Sequence, residues 1–320
     1  MRKWRDYVEP LFLKGVLQDK IWGGTKLRDE YGYDIPTETT GEYWAISAHP
    51  NGQATVINGE YKNQTLAKIW ESNQELFGNH TEEVFPLLTK IIDANNDLSV
   101  QVHPDNAYGL EVEGELGKTE CWYVLSADPD AEIIFGHNAQ SEEEFRDYIN
   151  NGQWDELLKT VKVQAGDFFY VPSGTVHAIG AGVMILETQQ SSDTTYRLYD
   201  YNRLDDAGNP RELHIEQSIN VSTIPHKDNQ EQPVVETLEN GTLTTLVSND
   251  FFTVSEWKLT GEVTFIQQAP YTLISVIAGK GALIVEDTTY DIKKGDHFIL
   301  PNNVKSWEID GNLQMITSTQ

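Results

Sequence analysis

A mainly β protein with a small helical layer is what this sequence predicts, on three grounds. Most of the chain falls into short β-rich runs, and Gly, Asn, Asp or Pro punctuates most of them, the pattern of a β-sandwich or barrel. Helical periodicity is confined to a few windows. A weak internal repeat relates GDFFYVPSGTVH (166–177) to GDHFILPNNVKS (295–306), each opening on Gly-Asp with a proline six residues after the glycine. Two copies of one β-barrel module account for such a repeat.

Taken in order, Leu66, Ile69 and Trp70 follow i, i+3, i+4 spacing, and Leu87, Leu88, Ile91 and Ile92 after Pro86 suggest a second helix; together they make a helical insertion over about 61–97. LSVQVH (98–103) alternates, with Leu98, Val100 and Val102 on one face and Ser99, Gln101 and His103 on the other. Strands follow at CWYVL from Cys121 and EIIF from Glu132. SEEEFRDYI opens with Ser141 and Glu144 placed as a capping box, and Phe145, Tyr148 and Ile149 form its apolar stripe. DFFYVP from Asp167 and VMILETQ from Val183 read as strands, 213–222 as a fourth helix, and the polar 226–234 (HKDNQEQPV) as a linker. YTLISVI from Tyr271, ALIVE from Ala282 and HFILP from His297 supply the strands of the last part. The expected domains are therefore 1–225 and 235–320.

Composition narrows the function. The 320 residues hold 23 Lys plus Arg against 50 Asp plus Glu, a net charge of −27, which argues against nucleic acid or an anionic membrane as partner. Hydrophobic residues at 39% and aromatics at 10% describe a folded chain rather than an acidic disordered one. One cysteine, Cys121, excludes an internal disulfide framework and a thiolate cluster. The first residues lack the apolar run of a signal peptide, and no stretch of about 18 apolar residues occurs. A cytoplasmic enzyme is the expectation.

Two of the eight histidines stand in a suggestive context. His103 ends the polar face of an alternating strand two residues beyond Gln101, so both side chains point the same way. His177 ends VPSGTVH, where Pro172 and Gly174 turn the chain tightly. Neutral imidazoles with a carboxylate hold a catalytic divalent cation while leaving a position open. Glu120, opening a strand after the turn at Gly117, is the candidate carboxylate. Such ligands suit zinc, manganese, iron or nickel alike. Trp22, Trp44 and Trp122 could stack on a sugar, but buried aromatics of a β core are the default reading, and Cys121, facing away from its neighbour Glu120, reads as an inert buried thiol.

QVHPDN, KTECWYVL, GDFFYVPSGTVHAIGAG and ETQQSSDTTYR, in this order, resemble type I phosphomannose isomerases, metal-dependent members of the cupin superfamily, in the form without a large helical insertion. IWGG (21–24) and GEYWAIS (41–47) are similar to the same family. The resemblance implies two cupin-like jelly-roll barrels, the first holding the site and the second degenerate. Ser306 stands where the first repeat has His177, so the second module is expected to be metal-free and to serve packing. It further implies that Gln101, His103, Glu120 and His177 bind one zinc ion per chain, with Gln101 either a ligand or a group orienting water or sugar. Arg197 and Glu187 are then residues of the reaction pocket, and Lys118, Ser99 and Lys90 line the sugar-phosphate site. The implied reaction interconverts mannose 6-phosphate and fructose 6-phosphate through a cis-enediol. In it Arg197 stabilises charge or orients substrate, and Glu187, Lys118 or metal-bound water moves the proton. Two other classes stay open: another cupin metalloenzyme, such as a glucose-phosphate isomerase or an iron oxygenase, and a non-catalytic sugar-binding cupin.

Overall fold

The computed structural model describes residues 8–204, 208–228 and 232–320. Residues 229–231 of the expected linker lie outside the described residues, and Val234 already begins a strand, Val234–Leu238. The chain is mainly β, in sheets of ten, six and five strands that run as open sequences of neighbours and do not close into the expected barrels.

The described residues group into two compact units, one from 8–16, 44–89 and 232–320 and one from 17–43 and 90–228. This grouping differs from the linear division at 225/235. Part of the reason is that Leu11–Lys14 pairs antiparallel with His297–Leu300, a partnership across the whole length of the chain.

The first unit holds the ten-stranded sheet. Its spine is Thr253–Thr260, Ser306–Thr319, Thr272–Val285 and His297–Leu300, around a core that includes Ile274, Val276, Leu283, Phe298, Ile309 and Met315. The runs expected separately from Tyr271 and Ala282 are one 14-residue strand, Thr272–Val285. A register shift between Val276 and Ala278 lets it continue, and Gly279, at φ 81°, passes so close to Asn312 that a Cβ would collide with its carbonyl oxygen. The expected helix Leu66–Ser72 is present, capped by Thr65, and buries Leu66, Ile69 and Trp70. Leu87–Ala94 is a strand, contrary to the second helix expected there. Every residue in it is buried, so neither face shows the alternation that betrays a half-exposed strand, and its paired apolar residues mimic a helical stripe.

The second unit is built on the six- and five-stranded sheets. The six-stranded sheet runs Phe168–Val171, Glu120–Ala127, Val183–Gln190, Leu87–Ala94, Thr40–Ile46, Val16–Gly24. The five-stranded one runs Tyr196–Tyr199, Val100–Val102, His177–Ile179, Glu132–His137, Leu158–Lys162. Helices Glu142–Asn150 and Ile215–Val221 fall where the sequence placed them. Ser141 caps Glu144, whose carboxylate reaches back to the amide of Gln140, one residue earlier than a strict capping box.

The repeat holds at atomic detail. Gly166 and Gly295 both take the left-handed conformation, φ 93° and 91°. Asp167 accepts from the amide of Gln164 at 2.9 Å, and Asp296 from that of Lys293 at 2.8 Å. Each turn leads into a short strand and a second turn, and the next strand starts at His177 in one copy and Ser306 in the other.

Candidate metal and substrate site

Register brings the predicted residues together. Across the five-stranded sheet, Arg197 pairs with Gln101 and Gln101 with His177, so three neighbouring strands place them in one row. In the six-stranded sheet, Glu120 and Trp122 share a face by alternation, and Glu187 lies directly across from Trp122. Both sets line one cavity of about 220 Å³ in the second unit, together with Lys90, Ser99, His103 and Lys118.

At its centre His103, Glu120 and His177 converge, with ligand atoms within 4.8 Å of one another and all three residues buried. The Nε2 atoms lie 3.6 Å (His103) and 3.5 Å (His177) from the two carboxylate oxygens of Glu120. Each imidazole is turned by its other nitrogen: Nδ1 of His103 lies 3.0 Å from the Thr194 carbonyl, and Nδ1 of His177 lies 2.8 Å from the Thr175 carbonyl. A carbonyl can only accept, so Nδ1 carries the proton and Nε2 presents its lone pair to the centre. Burial lowers both imidazoles, His177 to about 4 and His103 well below the usual range, the latter also because of Lys118. Both are neutral near pH 7, as a cation ligand must be. Gln101 donates from Nε2 to Ser99 Oγ at 3.3 Å, which leaves its amide oxygen for a cation or a sugar hydroxyl. The residues present therefore fit a divalent ion.

Around this triad sits a paired charge network. Lys118 Nζ is 2.6 Å from Glu120 and 3.9 Å from Glu187, and Lys90 Nζ is 3.5 Å from Glu187. Burial opposes the Lys118 charge, but Glu120 and Glu187 outweigh it and hold the ammonium protonated beyond its usual range. Glu187 is shifted upward, first by burial and then by the negative charge of Glu120. Trp122, expected as a plain core aromatic, is buried but donates its Nε1–H to Glu120 at 2.9 Å and to Glu187 at 3.2 Å, tying the two carboxylates together. Arg197 is half-buried and anchored by Nη1 to the Glu212 carbonyl at 2.8 Å, while its Nε has no partner. Cys121 is buried, and burial pushes its thiol well up, as expected of an inert group.

Sequence reasoning missed several lining residues: Trp22 was assigned by default to the core, and Lys20, Glu42, Asp193, Thr195 and Arg211 were not singled out. Lys20 pairs with Glu42 at 3.4 Å, and Arg211 is held by Asp200 through two hydrogen bonds of 2.7 and 2.6 Å. No local motif flags these residues, because strand pairing and the hydrogen bonds of Arg211 to Asp200 bring them in. The cavity walls carry Lys20, Lys90, Lys118, Arg197 and Arg211 against Glu42, Glu120, Glu187 and Asp193, a formal 5 − 4 = +1 in a chain of −27.

Fold and site together define a cupin-type protein with a buried two-histidine, one-carboxylate centre beside a cationic pocket. The family described as phosphomannose isomerase type I, catalytic domain, matches residues 11–123, and mannose-6-phosphate isomerase, cupin domain, matches 242–320. A mannose-6-phosphate isomerase of Streptococcus mutans is 61% identical over 97% of this chain and 98% of its own. One from Bacillus subtilis is 52% identical over the same shares. The crystal structure of a mannose 6-phosphate isomerase from Bacillus subtilis superposes with a TM-score of 0.95 at 50% identity, covering 97% of this chain and 99% of that one. A phosphomannose isomerase variant from Salmonella typhimurium shares the fold, with a TM-score of 0.79 at 16% identity over 97% and 99% of the two chains. The chain belongs to the type I phosphomannose isomerases, and is an aldose–ketose isomerase of that metal-dependent family. No described helix is long and apolar enough to cross a membrane.

Proposed function

We propose that this chain interconverts mannose 6-phosphate and fructose 6-phosphate in the cavity around His103, Glu120 and His177, with one zinc ion per chain, and does so in the cytoplasm. The observation that carries the reading is the juxtaposition of three convergent buried ligands with Lys90, Lys118 and Arg197 in one small pocket. His103, Glu120 and His177 would hold the ion, with the Gln101 amide oxygen as a further donor; two nitrogens and oxygens suit zinc, and the thiol at Cys121 is no part of the set. A divalent ion there supplies Lewis acidity toward the oxygens at C1 and C2.

The remaining chemistry falls to side chains. The phosphate is a dianion near pH 7, and the cationic surplus of the pocket, with Arg197 and Arg211 at its wall, offers it charge-assisted donors. Ser99 and Lys90 complete the substrate wall. Glu187, whose carboxyl burial and then Glu120 shift upward, is suited to take the proton from C2 and return it to C1 of the cis-enediol. Lys118, held protonated, serves as donor to a developing oxyanion rather than as base. Arg197 orients the substrate and balances charge. Trp122 donates to both carboxylates and so fixes Glu187 beside Glu120.

The test is a coupled assay on mannose 6-phosphate, with and without chelator, followed by isomerisation in heavy water. Turnover that needs the metal, with deuterium appearing at C2 of the mannose phosphate and C1 of the fructose phosphate, is expected. No turnover by metal-loaded enzyme removes the substrate assignment; turnover without label replaces the enediol with a hydride shift and withdraws the proton-transfer role of Glu187.

A further inference from the structure

The first unit carries a second cavity, of about 460 Å³, on the ten-stranded sheet. Alternation puts Thr253, Ser255 and Trp257 on one face of Thr253–Thr260, and Met315, Thr317 and Thr319 on one face of its partner strand Ser306–Thr319. Along both strands this face begins in the apolar core, at Leu259 and Met315, and turns to hydroxyls toward the cavity. The wall beside the hydroxyls is aromatic. Trp257 stacks on Phe265 with centroids 4.4 Å apart and planes 5° from parallel, and Phe265 stacks on Trp307 at 5.7 Å and 15°.

Two further features concern the ligand. Trp307, 4% exposed, is among the residues lining the cavity, and its indole Nε1–H has no partner; a buried donor left unpaired is costly, so a native one calls for an acceptor. Among the described residues, no Lys, Arg, Asp, Glu or His lines the cavity, although Lys, Arg, Asp and Glu make up 23 + 50 = 73 of the residues of this chain. A phosphate finds no side-chain counter-charge there. A ring with an apolar C–H face and a hydroxyl rim finds both halves of its surface matched, the face by the half-buried Trp257 indole at the end of the parallel stack and the rim by Thr and Ser hydroxyls and an indole donor.

We propose that this cavity is a second carbohydrate site, taking an uncharged pyranose whose C–H face rests on the Trp257 indole at the end of the aromatic stack. It is separate from the reaction pocket and independent of the isomerase reading. The probes are methyl α-D-mannopyranoside and methyl α-D-glucopyranoside, glycosides that cannot open and so are not turned over. Saturation-transfer NMR and calorimetry on the full-length, metal-loaded enzyme should show saturable binding of at least one of them, at about millimolar concentration. Trp257→Ala should weaken it about tenfold or more while turnover of mannose 6-phosphate stays as in the wild type. Thr317→Val, nearly isosteric, should also weaken it, and decides the matter if Trp257→Ala does not fold. His177→Ala should keep it. Absence of saturation with both glycosides, full binding in folded Trp257→Ala or in Thr317→Val, or loss of binding in His177→Ala, overturns the proposal.

Discussion

Lys118→Met tests the charge logic of the pocket most directly. The ammonium sits 2.6 Å from Glu120 and 3.9 Å from Glu187, and all three groups are buried. Methionine fills the stem's space but leaves two buried carboxylates with Lys90, 3.5 Å from Glu187, as the nearest described cation. Removing one partner of a buried pair costs about 3–5 kcal/mol, and that is the expected loss in chelator-treated protein. A divalent ion bound by Glu120 restores positive charge at the same carboxylate, so the deficit should shrink by more than half in metal-loaded protein. The pH dependence has a definite sign. In the variant one carboxyl becomes harder to ionise when folded than in the unfolded chain, where it titrates near 4.5. Its contribution is therefore fully present below that pH and is lost as pH rises, making the deficit larger at about pH 8 than at about pH 5. Urea unfolding followed by circular dichroism, with chelator and with zinc, reads all of this. Equal midpoints for variant and wild type in chelator, or a deficit untouched by metal, would show that Lys118 is not the counter-charge the distances imply.

His177→Ala should lose most bound metal by elemental analysis, since it removes one of three convergent ligands; full occupancy in that variant would remove His177 from the ligand set. Arg197→Ala should keep its metal and lose about a hundredfold or more in kcat/KM on mannose 6-phosphate, the scale of one preorganised charge-stabilising group; wild-type kinetics would withdraw its role. In the first unit, burial pushes His297 down to about 3. Folded His297 thus stays neutral while the unfolded chain takes up a proton below about pH 6.5, costing about 1.4 kcal/mol per pH unit as pH falls toward 3. Phe stands at the equivalent repeat position, Phe168, so His297→Phe should be less acid-sensitive than wild type by that slope; parallel stability curves across this range would contradict it.

What the sequence disclosed, and what it hid, follows from how each residue reaches the pocket. Ser99, Gln101 and His103 were legible because one strand with a dry face and a polar face sorts them by parity alone. Glu120 and His177 were legible because turns at Gly117 and Gly174 mark where their strands begin. Leu87–Ala94 was misread because both its faces are covered. Inside it Lys90, among apolar neighbours, was the hint of a functional strand rather than a helix. Lys20, Glu42 and Arg211 carry no local mark at all, since their positions depend on pairings and turns far along the chain. Trp122 has the pattern of a core residue and is one; its indole N–H, joining Glu120 to Glu187, appears only when Val183–Gln190 is laid beside Glu120–Ala127 in register.

The same contrast explains why the repeat diverged as it did. The Gly-Asp turn and its aspartate-to-amide bond are kept in both copies because they set the geometry of the strand that follows. What lies past the second turn is free to differ: His177 enters a buried ligand set, while Ser306 is exposed and its neighbour Trp307 joins an aromatic stack. A polar centre needs neighbours that orient its groups, as Trp122, Thr175 and Thr194 do around the triad. Where the second copy lacks those partners an apolar core is the lower-energy filling, and the unpaired indole of Trp307 marks a place where that filling is incomplete.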